Sequence, residues 1–304
     1  MESPIFRNHP YNLTNLAIQT IHSVDEMRAF VLASIRSNKS TALVPTMGAL
    51  HEGHLALVHR AADEADVVIV SIFVNPTQFG PGEDFDAYPR LLEQDVAALD
   101  AQGLAAVVFA PPVSEIYSEK ANLTWVEVDS MGESLCGASR PGHFKGVTTI
   151  VSRLFAIIQP DYAVFGLKDA QQFFILSRMS QDMGFATRLI GVDTIREDDG
   201  VAMSSRNRYL NAEQRIEAKV LSQAVNRARY MIETNGVRDT LKIKKDMVDI
   251  LQSASSGRLD YAEIVDADTL KPVEYLETGQ TILAAVAMFF QGARLIDNSI
   301  SEVR

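Results

Sequence analysis

A chain of 304 residues, 47% hydrophobic and 22% charged, is long enough for two ordinary globular domains and needs no staple to fold. Its single cysteine, Cys136, excludes an intrachain disulfide and fits a reducing cytoplasmic setting; the absence of a signal-peptide core, and of about eighteen consecutive apolar residues anywhere, argues against a membrane role. With 39 acidic against 28 basic side chains the net charge is −11, so the surface as a whole repels a polyanion, and extended nucleic-acid binding is not expected.

Residues 1–16 show no period and read as a loose extension. Ser23 and Glu26 suit a capping box for a helix through Ile35. Residues 41–44 form a short apolar run that predicts a buried strand, which Pro45 is expected to stop. Gly48 then turns the chain, and a helix starts near Gly53 and runs through Leu55 and Val58. His51 and His54 are three apart, so the first helical turn puts both imidazoles on one face, beside backbone N–H groups that lack partners. Such a place attracts phosphate. Taken alone, the pair is more often an ordinary surface or capping pair. A zinc site would need more ligands than one cysteine helps supply, and Glu52 lacks metalloprotease spacing. The element around His51-Glu52-Gly53-His54 resembles the HxGH signature of the nucleotidylyltransferase superfamily, which implies an ATP-binding Rossmann-like domain and release of pyrophosphate.

The run 66–74 is apolar throughout, as in a parallel strand buried on both faces, and completes a βαβ unit. A right-handed crossover puts Asn75 beside the histidine turn, and the amides of Asn75 and Gln78 can donate to a substrate carboxylate or hydroxyl. Residues 88–102 predict a helix closed by Gly103, residues 105–110 a strand stopped by Pro111-Pro112, and the stretch around Trp125 another strand. The glycine-rich segment 135–146 runs into a helix over 147–158; Cys136 reads as a small buried hydrophobe, and Arg140, His143 and Lys145 suit phosphate contacts and solvated loop charges equally. A strand over 162–165 delivers Gly166, Lys168 and Asp169 to the same rim as the histidines. A lysine at a helix start opposes the dipole, so charge developing on phosphate is its better explanation.

After a strand over 187–192 the charged run 193–200 marks the boundary between a domain of residues 1–194 and one of 195–304. Met203-Ser204-Ser205-Arg206 suits either a helix cap or a phosphate clamp. Helical patterns over 212–233 and 237–252, then strands over 260–265, 281–289 and 293–298, predict a small α+β lid. The fold class is thus α/β: a Rossmann-like parallel sheet domain followed by a smaller α+β domain.

Five motifs in order, Pro45 to His54, Phe73 to Phe79, Leu135 to Gly146, Phe165 to Gln172 and Met203 to Arg206, resemble the pantothenate synthetase family from about residue 17 onward. Two departures stand out: Ala170 replaces the family's tyrosine, and Leu167 replaces a polar residue before the lysine. The resemblance implies ATP-dependent condensation of (R)-pantoate with β-alanine through pantoyl adenylate, with Mg²⁺ accompanying ATP and a homodimer as the assembly. It implies that His51, His54, Lys168, Ser204, Ser205 and Arg206 hold and neutralise the triphosphate. Pro45, Thr46, Met47, Gly166, Asp169 and Met203 complete the ATP site. Met47, Asn75, Gln78 and Gln172 line the pantoate pocket. Asp95 matches the family's magnesium position, although Gln94 stands where some members have an acid. The alternatives are a nucleotidylyltransferase that stops at the adduct and a nucleotide sensor without turnover.

Overall fold

The computed structural model describes residues 18–104, 106–117 and 122–304; the expected extension over 1–16 and Ala105, the first residue of an expected strand, lie outside them. Six short runs form one parallel sheet: β1 (Thr20–Ile21), β2 (Thr41–Thr46), β3 (Val67–Ile72), β4 (Ala106–Phe109), β5 (Tyr162–Gly166) and β6 (Arg188–Val192), in spatial order β1-β4-β3-β2-β5-β6. Helices α1 (Val24–Arg36), α2 (Glu52–Glu64), α3 (Leu92–Ala101), α4 (Val113–Ile116), α5 (Cys136–Ser139), α6 (His143–Ile158) and α7 (Ala170–Asp182) connect and cover these strands. Val68, Ile69 and Val70 are 2% exposed or less, because layers of apolar side chains close over both faces of the sheet. From β2 the chain proceeds outward to β3 and β4, and β5 then pairs with the opposite edge of β2. The strand order therefore reverses at β2 and β5, and open α/β sheets bind ligands outside the carboxyl ends of strands at such a point.

Several local expectations needed correction. Pro45 does not end β2, which stays in register with β3 through Thr46. Successive residues of a strand address opposite neighbours: Thr41 O accepts from Asp161 on the β5 side, and Thr46 O accepts from Phe73 on the β3 side. The donor that Pro45 lacks thus faces β5, where pairing with β2 already ends at Leu43. The helix expected from residue 88 starts at Leu92, after Pro89 bars a helical conformation at Tyr88 and Arg90 folds back onto the carbonyls of Phe85, Asp86 and Tyr88. Among the described residues around Trp125 no strand forms. Hydroxyls of α6 take the place of a ladder there: Val126 N donates to Thr149 Oγ1 at 3.0 Å, and Thr148 Oγ1 donates to Val126 O at 2.6 Å. Helix α6 starts at His143, four residues early, with Gly146 inside it.

The second domain has α8 (Ala212–Glu217), α9 (Lys219–Arg229) and α10 (Thr240–Leu251), followed by the antiparallel sheet β7 (Arg258–Asp266), β8 (Thr281–Phe290) and β9 (Ala293–Glu302). The single helix expected over 212–233 is broken at Ala218 and ends in a π-turn, Tyr230–Thr234. The next helix starts later than expected because Asp239, not Val237, accepts from the N–H groups of Leu241 and Lys242. β8 is buried almost throughout because Ile282, Ala284 and Val286 pack with the α9–α10 core, while Leu283 and Ala285 pack against Leu135, Phe144 and Ala170 of the first domain. Among the described residues no helix is long and apolar enough to cross a membrane.

Candidate active site

The turn after β2 is shaped by one carboxylate. Asp95 on α3 accepts from Ala49 N at 3.0 Å and from Leu50 N at 2.8 Å. Gly48 has φ +80°, and a Cβ there would come within 2.8 Å of Asp95 Oδ2, so glycine is required by both backbone and space. The chain then enters α2 with His51 as N-cap. Its Nδ1 accepts from Gly53 N at 3.1 Å, and a Cβ at Gly53 would stand 2.9 Å from His51 Cε1. The second imidazole folds back as well, with His54 Nδ1 accepting from His51 N at 3.4 Å. Both Nδ1 atoms thus accept, which leaves each neutral ring with its proton on Nε2. The rings stand 4.1 Å apart between centroids.

Burial lowers the His51 pKa, helped by the Lys168 charge, and burial with the charges of His51 and Lys168 brings His54 down to about 3. At neutral pH both rings are uncharged, each with its N–H at Nε2. The ammonium close to them is that of Lys168, on the 3₁₀ turn Leu167–Asp169 after β5, 3.9 Å from Asp169 Oδ2. Leu167 packs over Gly191, where a Cβ would meet its Cδ2 at 2.7 Å.

These groups line one cavity of about 270 Å³, together with Pro45, Thr46, Met47, Asn75, Gln78, Gly166, Asp169, Gln172 and Met203 through Arg206. Phe73, Val147, Ile150, Val151 and Phe165 give it an apolar wall. Gln78 Nε2 donates to Met47 Sδ at 3.0 Å. The arm 203–206 leans on the histidine turn: Gly53 N also donates to Met203 Sδ at 3.3 Å, and Arg206 stands 3.7 Å from Asp84. A second cavity of about 290 Å³ between the two domains shares Lys168, Gln172 and Arg206, and the small Ala170 opens onto it.

Two expected residues also carry structural contacts. Asn75, 1% exposed, accepts from Tyr117 Oη at 2.8 Å and donates to Gln78 Oε1 and Gly146 O, so its amide holds Gln78 in place. Asp95 is 3% exposed and does not line the first cavity, but it lies on an adjoining depression together with His51, Gln94, Met203, Ser204 and Ser205. Its carboxylate oxygens already bind two N–H groups, and among the described residues no three His, Cys, Asp or Glu side chains stand together as metal ligands. The protein alone therefore builds no magnesium cage, and a single carboxylate of this kind would need phosphate oxygens of the nucleotide beside it.

Arg140 and His143 also line this cavity, each held by partners within the protein. Arg140 makes a two-pronged pair with Glu83 that holds the Glu83 carboxyl below its ordinary pKa, and His143 Nδ1 donates to Gln78 O at 2.8 Å. Burial, aided by Arg140, lowers His143 to about 4. Lys145 points away, to Glu127 and the face of Trp125. Sequence reasoning missed Tyr88, whose phenol burial pushes up, and Thr194 with Ile195. The latter follow β6, and the rule that ligands gather at carboxyl strand ends would have found them.

Residues 19–300 match the family model described as pantoate-beta-alanine ligase. The chain is 50% identical over 292 residues to a pantothenate synthetase of Salinibacter ruber, covering 94% of this chain and 98% of that one. A crystal structure of pantothenate synthetase from Thermus thermophilus superposes with a TM-score of 0.84 at 43% identity, covering 93% of this chain and 99% of that one. A pantoate-beta-alanine ligase from Francisella tularensis, solved with a β,γ-ATP compound and β-alanine, gives a TM-score of 0.74 at 30% identity over 93% of this chain and 98% of that one.

Proposed function

Since the chain belongs to the pantoate-β-alanine ligase family, an ATP-dependent enzyme that joins pantoate to β-alanine, we propose that it works through an enzyme-bound pantoyl adenylate. In the first step a pantoate carboxylate oxygen attacks the α-phosphorus, and the bond to the β-phosphate oxygen breaks as pyrophosphate leaves. In the second the β-alanine amine attacks the acyl carbon, the acyl–phosphate C–O bond breaks, AMP leaves and the nitrogen loses a proton.

The observation that carries this reading is the meeting of His51 and His54, from the end of β2, with Lys168, from the end of β5, in one cavity at the point where the strand order reverses. Two neutral N–H donors and one ammonium suit a reaction that needs positioning and charge stabilisation and no covalent group. Pro45, Thr46, Met47, Gly166, Asp169 and Met203 complete the nucleotide side, with Ser204, Ser205 and Arg206 against the phosphates. Met47, Gln78 and Gln172 face pantoate, whose methyl groups suit the wall of Val147, Val151 and Phe165, and Asn75 braces Gln78. Magnesium would accompany ATP and offset charge on the triphosphate. We place the domain boundary after residue 194, since Arg196 already pairs with Asp297 of the second sheet. The assembly we propose is a cytoplasmic homodimer; sedimentation that finds only a 33.5 kDa species would overturn the dimer.

Pyrophosphate–ATP exchange tests the intermediate. Exchange that requires pantoate and proceeds without β-alanine supports the adenylate; exchange that needs β-alanine rules it out. Mass spectrometry of the complete reaction should find pantothenate and AMP, where a stable nucleotide adduct would mark a nucleotidylyltransferase and unchanged ATP a sensor.

A further inference from the structure

The last strand of the second domain touches both charged arms of the cavity. Asn298 on β9 sends its side-chain nitrogen to the turn after β5, where Nδ2 donates to Leu167 O and to Lys168 O, each at 2.9 Å. A primary amide has two N–H bonds, so a single side chain satisfies both carbonyls. Its neighbour Asp297, 2% exposed, takes a two-pronged pair from Arg196 at 2.6 and 3.0 Å. Arg196 also donates to Gly200 O at 3.0 Å and bridges to Ala202, while Met203 N donates to Ile195 O at 2.9 Å. That small hairpin carries the arm 203–206 into the cavity. Asp297 Oδ1 further accepts from Asn298 N at 2.8 Å, which ties the two anchors together. Neighbouring side chains on a strand point to opposite faces, so one dipeptide can hold two separate segments at a set spacing.

We propose that Asp297 and Asn298 form a cross-domain spacer that sets the distance between Lys168 and the Ser204–Arg206 arm, with Asn298 a positioning residue for the Lys168 ammonium. The lysine stem is flexible and its ammonium is held loosely by Asp169 at 3.9 Å, so the backbone of Lys168 decides where the charge can reach. That backbone is what Asn298 grips. The inference rests on the reading that Lys168 stabilises charge as pyrophosphate leaves.

The test compares Asn298→Ala, Asn298→Ser and Lys168→Ala in two half-reactions: pantoate-dependent pyrophosphate–ATP exchange, and single-turnover transfer to β-alanine from supplied pantoyl adenylate. Asn298→Ala should slow exchange on the order of tenfold to a hundredfold, as for a misplacement of about 1 Å, with pantoate KM unchanged and transfer affected far less. Asn298→Ser keeps one donor and should fall between Ala and the parent. Equal loss in both half-reactions would make Asn298 merely structural and overturn the proposal. So would normal exchange in Asn298→Ala beside crippled exchange in Lys168→Ala. Normal exchange in Lys168→Ala itself would remove the premise about the lysine, a failure separable from that of Asn298. Should Asn298→Ala not fold, Asn298→Ser decides: selective loss of exchange supports the spacer, and equal loss or none overturns it.

Discussion

The Asp95 carboxylate accepts the backbone N–H of Leu50 at 2.8 Å, one residue before the first histidine of the cavity. With its other oxygen on Ala49, where φ is +53°, it holds a turn that the backbone would not adopt unaided. Asp95→Asn replaces one acceptor with a donor facing an N–H. A hydrogen bond to a charged group contributes roughly 1.5–3 kcal/mol, so the variant should unfold at lower denaturant and lose turnover. Its dependence on magnesium concentration should match the parent enzyme. A large shift in the magnesium midpoint would return Asp95 to the metal.

His51→Ala and His54→Ala should each slow adenylate formation by roughly 10²–10³, the usual effect of losing one preorganised donor. Because both rings act as neutral Nε2–H donors, His54→Gln, which keeps an N–H of similar reach, should retain more exchange activity than His54→Ala. Equal exchange rates in the two variants would show that the N–H is not what matters.

How far the sequence could be read depends on the range of each interaction. The histidine turn, Lys168 and the arm 203–206 follow strand ends within a few residues, so periodicity and turn chemistry locate them. Asp95 and Asn298 act on backbone groups 45 and 130 positions away, and nothing local distinguishes a carboxylate that accepts two N–H groups from a solvated or metal-bound one. The stretch around Trp125 reads as a strand, but the backbone of Val126 bonds to the hydroxyls of Thr148 and Thr149 instead. Arg140 and His143 take their partners, Glu83 and the carbonyl of Gln78, from 57 and 65 positions away, which no local pattern records.

Stability should fall with acid before most carboxylates titrate. His54 and His143 go from an ordinary value of 6.5 in the unfolded chain down to about 3 and about 4 in the fold. Below pH 6.5 the unfolded state therefore binds protons that the folded state refuses, so stability is lost as pH falls from 6.5 toward 4 and 3, and is unaffected by these groups above 6.5. Each pH unit in that window costs at most about 1.4 kcal/mol per histidine. Denaturant unfolding at pH 7.5, 6 and 5 should show this slope, and His143→Gln should flatten it. An unchanged slope in that variant would mean that His143 is protonated in the fold.

Gly146→Ala sets two effects in opposition. Inside α6, alanine gains up to about 1 kcal/mol of helix propensity over glycine. Against this, a Cβ at residue 146 would lie 2.3 Å from Thr77 O and 2.7 Å from Gln78 Cα. Those are backbone atoms, which cannot swing aside as the end of a side chain can, so α6 or the turn 76–78 must move. Overpacking of this kind costs roughly 1–3 kcal/mol, so the net change should be destabilising. The displacement falls on Gln78, whose amide reaches Met47 Sδ at 3.0 Å and whose carbonyl accepts from His143. It also disturbs the bond from Asn75 Nδ2 to Gly146 O, 3.2 Å long. Since Gln78 is assigned to pantoate and not to ATP, the variant should raise the pantoate KM well beyond any rise in the ATP KM. Steady-state kinetics with each substrate varied in turn gives the comparison, and a parental pantoate KM in a destabilised Gly146→Ala enzyme would separate Gln78 from pantoate binding.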